Sequence, residues 1–179
     1  RDVFRLIHPM AKNPAMNNLF YWAVNGEVSE MAEVPILLRD FIKLQDAKGK
    51  KEAVSILSNK NISWEMVPTQ FLAEPDVWKA LLPNMPLTAL LRNLARMTAN
   101  GLLKPFAPEN KIIIQKITNP ENLKKAKIHP IAVLAALMTY KSGRGMKGSL
   151  VWEPVQTIAH ALEQAFYDSF QNVESTGKR

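Results

Sequence analysis

This sequence predicts an all-α fold of the HEAT or armadillo kind, an α-solenoid of short antiparallel helical repeats. Three observations carry that reading. Apolar residues recur at the helical step along nearly the whole chain. Prolines stand near the starts of the periodic stretches and glycines just past their ends. No segment alternates apolar and polar residues long enough to make a half-buried strand.

The elements follow in order. Pro14 opens a helix after Asn13, and NPAMNNLFYWAVNG closes at Gly26. A second helix covers residues 35–47 and is stopped by Gly49; a third covers 51–58. SWEMVP makes a short turn from Ser63, and PDVWKALLPN starts a helix at Pro75 that halts before Pro83. PLTALLRNLARMTANG is the clearest helix, with Leu87, Leu90, Leu91, Leu94 and Met97 as its buried stripe. Asn93, Arg96 and Asn100 are expected on the opposite face, with Arg92 beside Arg96 at i+4. Two helices follow at 109–118 and 120–127, where IIIQ at 112–115 is the most strand-like run but has helix-forming neighbours. PIAVLAALMTYKSG at 130–143 is apolar nearly all round and is expected to be central. The last helix, 154–173, keeps the helical step from Val155 through Ile158, Ala159, Leu162 and Phe166 to Phe170. RLIHPMA at 5–11 and AKIHPIA at 126–132 echo each other, each with a proline expected to start a helix.

With 179 residues and 47% hydrophobic content, the chain can bury a core as one helical segment, 1–179. It opens at Arg1 in an already amphipathic stretch, which reads as a cut inside a larger protein. No apolar run reaches the roughly 18 residues of a membrane span. The absence of cysteine removes thiol catalysis, iron–sulfur clusters and the usual zinc finger, and fits a reducing, cytoplasmic setting.

Charge is distributed unevenly. Residues 1–89 carry ten basic and ten acidic side chains, whereas residues 92–147 carry eleven basic and two acidic ones, a net +9 within a chain total of +7. Such a block repels itself unless a polyanion offsets it, and nucleic acid is the usual polyanion. The block ends in KSGRGMKGS, where Lys141, Arg144 and Lys147 sit among glycines that allow a phosphate chain to approach closely. The same letters, Gly143, Gly145 and Gly148, match the dinucleotide GxGxxG pattern, but a helix rather than a strand precedes them, so that reading is rejected. His8, His129 and His160 are far apart, no HExxH, GxSxG or paired-His/carboxylate pattern occurs, and Glu163 and Asp168 lack the spacing that would put two carboxylates on one helix face. The expectation is therefore a binding module, not an enzyme, without metal or cofactor.

Four stretches carry a resemblance: ISWEMVPTQFL (62–72), VWKALLPNMPLTALLRNLARMTANG (77–101), KIHPIAVLAALMTYKSGRGMKGSLVW (127–152) and AFYDSFQNVESTGKR (165–179). DVFRLIHP at 2–9 adds a helix end with a matching histidine, while residues 10–61 match less well. Together they resemble the TROVE module of the Ro autoantigen family. The resemblance implies a HEAT-like module forming part of a toroid, closed by a von Willebrand factor A domain that this chain lacks. It also implies a ribonucleoprotein that binds small structured Y RNAs outside and 3′ single-stranded tails of misfolded RNAs in the central hole. Partners would be RNA, the rest of the ring and its A domain, and an RNA-processing nuclease or ligase. Carried over residue by residue, the implied RNA contacts are Arg5 and His8 at the helix end, Arg92, Asn93 and Arg96 in the LRN motif, and Lys141, Arg144 and Lys147 in the glycine-rich segment. The competing reading is a helical-repeat scaffold for a protein partner, with Trp22, Trp64, Trp78 and Trp152 as its aromatic candidates.

Overall fold

A computed structural model of the chain describes residues 2–7, 9–28, 30–58, 60, 62–145 and 148–173. Its backbone contacts fall into two compact units, Arg1–Pro68 and Thr69–Arg179. Both are helical, and no strand occurs among the described residues beyond an isolated bridge between Arg144 and Val151.

In the first unit, α1 (Asp2–Ile7) is followed by α2 (Pro14–Asn25), α3 (Ile36–Gln45) and α4 (Lys50–Ser58). Asn13 caps α2, accepting the Ala15 N–H on its side-chain oxygen at 2.9 Å, and Pro14 fills the first turn where its missing N–H costs nothing. Gly26 takes the left-handed conformation that ends the helix and donates its N–H to the Trp22 carbonyl at 2.7 Å. The expected start at Pro9 is not found: residues 9–13 are non-helical, because the cap that starts the helix is supplied by Asn13. The unit's core is small, with Leu38, Leu44, Ala53 and Leu57 buried on α3 and α4 and no buried residue on α1 or α2.

The second unit holds α5 (Pro75–Leu81), α6 (Leu87–Ala99), α7 (Glu109–Thr118), α8 (Pro120–Lys125), α9 (Pro130–Ser142) and α10 (Gln156–Asp168). Here α10 packs against both α9 and α7, and α6 packs against α9. The core runs through Trp78, Leu90, Leu94, Met97, Ile113, Ile117, Val133, Tyr140, Ile158 and Leu162. The strand-like IIIQ run is helical, since Ile113 and Ile117 at i, i+4 share one buried face.

Two expectations are corrected. α9 is not central: Val133, Leu137 and Tyr140 are buried, but Ile131 is 69% and Met138 62% exposed. Only the i, i+4, i+7 stripe meets α10 and α6, so a helix apolar all round need not be buried all round. The last α-helix ends at Asp168 and continues as a 3-10 turn over Ser169–Asn172, which leaves Phe170 exposed.

A buried polar knot ties this unit together. The Thr98 hydroxyl donates to the Leu94 carbonyl at 2.9 Å, so the Tyr140 hydroxyl, 3.0 Å away, donates to Thr98. Tyr140 Oη in turn accepts the Val155 N–H at 3.2 Å, and the Tyr140 carbonyl accepts the Trp152 indole N–H at 2.9 Å. Four donors from three segments are thus satisfied by protein acceptors.

Candidate nucleic-acid interface

The site grows from α6. Seven of its residues are buried, and Asn93 is one of them at 5% exposure. Its Nδ2 donates to the Ala89 carbonyl one turn back, at 2.9 Å. The placement of Asn93 on an outward RNA-contacting face is therefore wrong. Asn93 lies three residues after Leu90 and four before Met97, so the helical turn carries it inward with them. Asn100 is also engaged, its Oδ1 accepting the Leu102 N–H at 3.1 Å beyond the helix end. Arg92 and Arg96 do face solvent, one turn apart.

Arg92 opens onto a groove of about 550 Å³ between α6 and α9. Leu91, Ala95, Ala132, Ala135 and Ala136 make its walls, and Lys127 and His129 stand at its end. The connection from α8 to α9 sets those two residues. The Lys127 N–H donates to the Lys124 carbonyl at 3.0 Å and the Ile128 N–H to the Leu123 carbonyl at 3.2 Å, a Schellman ending with Lys127 in the left-handed position at φ 49°. His129 then caps α9, its Nδ1 accepting the Ile131 N–H at 3.2 Å. Sequence reading missed Lys127 and His129 as site residues. The available signal was His-Pro directly after a lysine-rich helix end, which marks a helix start beside a helix stop.

The other cations of the block differ in availability. Lys116 is taken up internally: its Nζ donates to the carbonyls of Leu82 and Pro83, both at 2.7 Å, and of Met85 at 3.3 Å. Partial burial holds its pKa below the usual lysine range. Lys141 is ion-paired with Glu163 of α10, and the hydrogen bond from Lys141 holds the Glu163 carboxyl below its ordinary range. In contrast, Arg92, Arg96, Lys124, Lys125, Lys127 and Arg144 are exposed and have no acidic partner among the described residues.

The glycine-rich segment is anchored at its base. The Trp152 N–H donates to the Gly143 carbonyl and the Gly145 N–H to the Leu150 carbonyl, each at 2.9 Å. Gly143 has φ 66°, and a Cβ there would meet the Trp152 carbonyl oxygen at 2.9 Å. Its glycine serves the turn and this close approach. Arg144 is exposed but lies outside the α6–α9 groove, and Lys147 falls outside the described residues. In the first unit Arg5 is exposed on the last turn of α1, while His8 falls outside the described residues.

Of the four tryptophans, Trp78 and Trp152 are buried and bonded through their indole N–H groups, to Leu72 and Tyr140 respectively. Among the described residues no group of three or more His, Asp or Glu could hold a metal, and no helix is long and apolar enough to cross a membrane.

Residues 56–139 match the TROVE domain, a stretch that includes α6, both walls of the groove and the connection from α8 to α9. Over that stretch the chain is similar to the TROVE domain. It is 33% identical to the RNA-binding protein RO60 of Caenorhabditis elegans, an alignment covering 100% of this chain and 35% of that protein. It is 29% identical to the RNA-binding protein RO60 of Deinococcus radiodurans, over 99% of this chain and 34% of that one. The crystal structure of the Deinococcus radiodurans RO (RSR) protein matches with a TM-score of 0.83 at 30% identity, covering 97% of this chain and 35% of the other. The chain thus spans about a third of the length of the curated relatives it matches. The all-α helical-repeat fold expected from the periodicity is the fold found.

Proposed function

We propose that this TROVE segment binds RNA as part of a Ro-type ribonucleoprotein, gripping phosphates with the exposed cations around α6 and the connection from α8 to α9. One observation supports this above the rest: Arg92, Arg96, Lys124, Lys125 and Lys127 lie exposed and without acidic partners among the described residues, on α6 and on one short helix end. A protein that left such charge unneutralised without a polyanion would carry its self-repulsion for nothing. The names of the two relatives point the same way. Small structured Y-like RNAs and 3′ single-stranded tails of misfolded RNAs are the ligands this reading favours, within cytoplasmic RNA quality control. The chain acts passively, holding backbone phosphates and selecting by shape, and a partner nuclease or ligase supplies any chemistry.

Electrophoretic shifts with a hairpin RNA carrying a single-stranded 3′ tail, at two salt concentrations, test the reading. Affinity should fall by about 0.7 to 0.9 log units per phosphate contact for each log unit of salt. An affinity indifferent to salt, or capture of a protein partner that survives ribonuclease treatment while RNA is not bound, would overturn it.

A further inference from the structure

The α6–α9 groove combines two features that a simple phosphate-binding surface does not need together. Its walls are short and apolar, from Leu91, Ala95 and the alanines of α9. Its charged and imidazole groups, Arg92, Lys127 and His129, include no carboxylate. At about 550 Å³ it is as large as the concave sites that hold small ligands, which are likewise mostly apolar with a few placed polar groups.

The rim offers hydrogen-bond donors. Arginine and lysine can only donate. In the neutral imidazole of His129, Nδ1 accepts from the Ile131 N–H, so the ring proton sits on Nε2 and that edge donates as well. Such a rim matches a ligand rich in acceptors. The backbone supports a role for Lys127 beyond the fold. It occupies the left-handed position of a Schellman ending at φ 49°, where glycine is strongly favoured because it has no Cβ to clash. A lysine at that position carries backbone strain that a glycine would not.

We propose that this groove is a pocket for one unstacked nucleotide of single-stranded RNA, its base against the alanine walls and its phosphate held by Arg92 and Lys127. The inference rests on the RNA-binding reading and adds to it a place where a base, and not only the backbone, is held. Of the alternatives, an acidic peptide helix is about 10 Å across with its side chains, so two turns would displace more than the groove holds. A flat base enters edge-on between the two helices.

The test uses the intact protein and two fluorescent probes: a short oligouridylate and an abasic ribose-phosphate oligomer of equal length. The unmodified protein should prefer the base-bearing probe by about five- to tenfold, the lower end of what holding one base contributes. Ala135→Phe fills the groove from an exposed position, so a thermal melt should stay where it was. It should abolish the preference while leaving the abasic affinity and its salt dependence intact. Lys127→Gly should raise the melting temperature by relieving the left-handed lysine, yet weaken both probes by about three- to fivefold through loss of one phosphate contact. A purely structural Lys127 would give the raised melting temperature with unchanged binding, and that result overturns its assignment. If the protein binds both probes equally and Ala135→Phe changes nothing, the pocket is refuted while the RNA reading stands. If it binds neither probe nor the hairpin RNA, both fall together.

Discussion

Two stretches of the second unit look alike in sequence and differ in structure. The region around α6 and the connection from α8 to α9 and the glycine-rich segment after α9 are both rich in lysine and arginine. Around the groove the cations have no acidic partner among the described residues, and Lys127 takes the left-handed position of its turn. In the second region Lys141 is paired with Glu163, Gly143 is used by the backbone, and Arg144 stands alone among the described side chains of the segment. Counting charges along a chain therefore overstates the binding surface. A cation is available to a phosphate only if no carbonyl or carboxylate of the fold already holds it, as Lys116 and Lys141 are held.

The comparison breaks most easily at its strongest point. Replacing Arg92, Arg96 and Lys127 together by alanine should weaken RNA binding by about thirty- to a hundredfold at low salt and lower the salt slope by about two. The matching pair in the other region, Lys141→Ala with Arg144→Ala, should cost less than about threefold. Filter binding across a salt series measures both. Equal losses would mean that the two regions form one surface and that the distinction between them is empty.

Gly143 and Tyr140 sharpen the contrast from the side of stability. Gly143→Ala should destabilise the protein by about 1–3 kcal/mol, because a side chain at positive φ is strained and its Cβ would press on the Trp152 carbonyl. Once refolded at low temperature the variant should bind RNA as before, which a glycine needed for phosphate approach would not allow. Tyr140→Phe should cost about 1–2 kcal/mol in chemical denaturation by leaving the Val155 N–H buried without its acceptor. Burial raises the Tyr140 pKa above the ordinary tyrosine value, outweighing its hydrogen bonds. Its contribution is thus complete below the unfolded-state tyrosine pKa and is lost as pH rises through the folded value. The Phe variant should lack that alkaline loss, and urea melts at neutral and alkaline pH compare the two proteins.

Most of the fold was legible in the sequence. Pro14, Pro75, Pro120 and Pro130 each stand in the first turn of a helix, and Gly26 and Gly143 each end one in the left-handed conformation. These local rules need no knowledge of neighbours, which is why they succeed. The side facing the core was less legible. Asn93 looks like a surface residue by type, yet its donor is satisfied within its own helix, so burying it costs little. For α9 the error ran the other way, since periodicity shows which residues could be buried but not what is there to bury them. The groove was hidden for a related reason. Lys127 and His129 are more than thirty residues from Arg92 in sequence, and only the packing of α6 on α9 brings them to one opening.

The smallest effect is also the most direct probe of why the two regions differ. If Lys141 is silent because Glu163 holds it, then removing the acceptor's charge should release it without disturbing anything else. Glu163→Gln keeps the shape of the side chain and deletes the ion pair. Both partners are substantially exposed, so solvent already screens the pair and a melt should not move measurably. The released ammonium adds one cation to the glycine-rich segment, and RNA affinity should rise by about two- to threefold at low salt and converge with the unmodified protein at high salt. Acid offers a second route to the same release. The hydrogen bond from Lys141 holds the Glu163 carboxyl below the usual glutamate range, so the pair survives until the pH falls through that lowered value. The unmodified protein should therefore gain no RNA affinity from this site on going from neutral to mildly acidic pH. A Glu163→Gln variant whose affinity is unchanged would show that Lys141 is silent because of where it points, not because of what it is bound to.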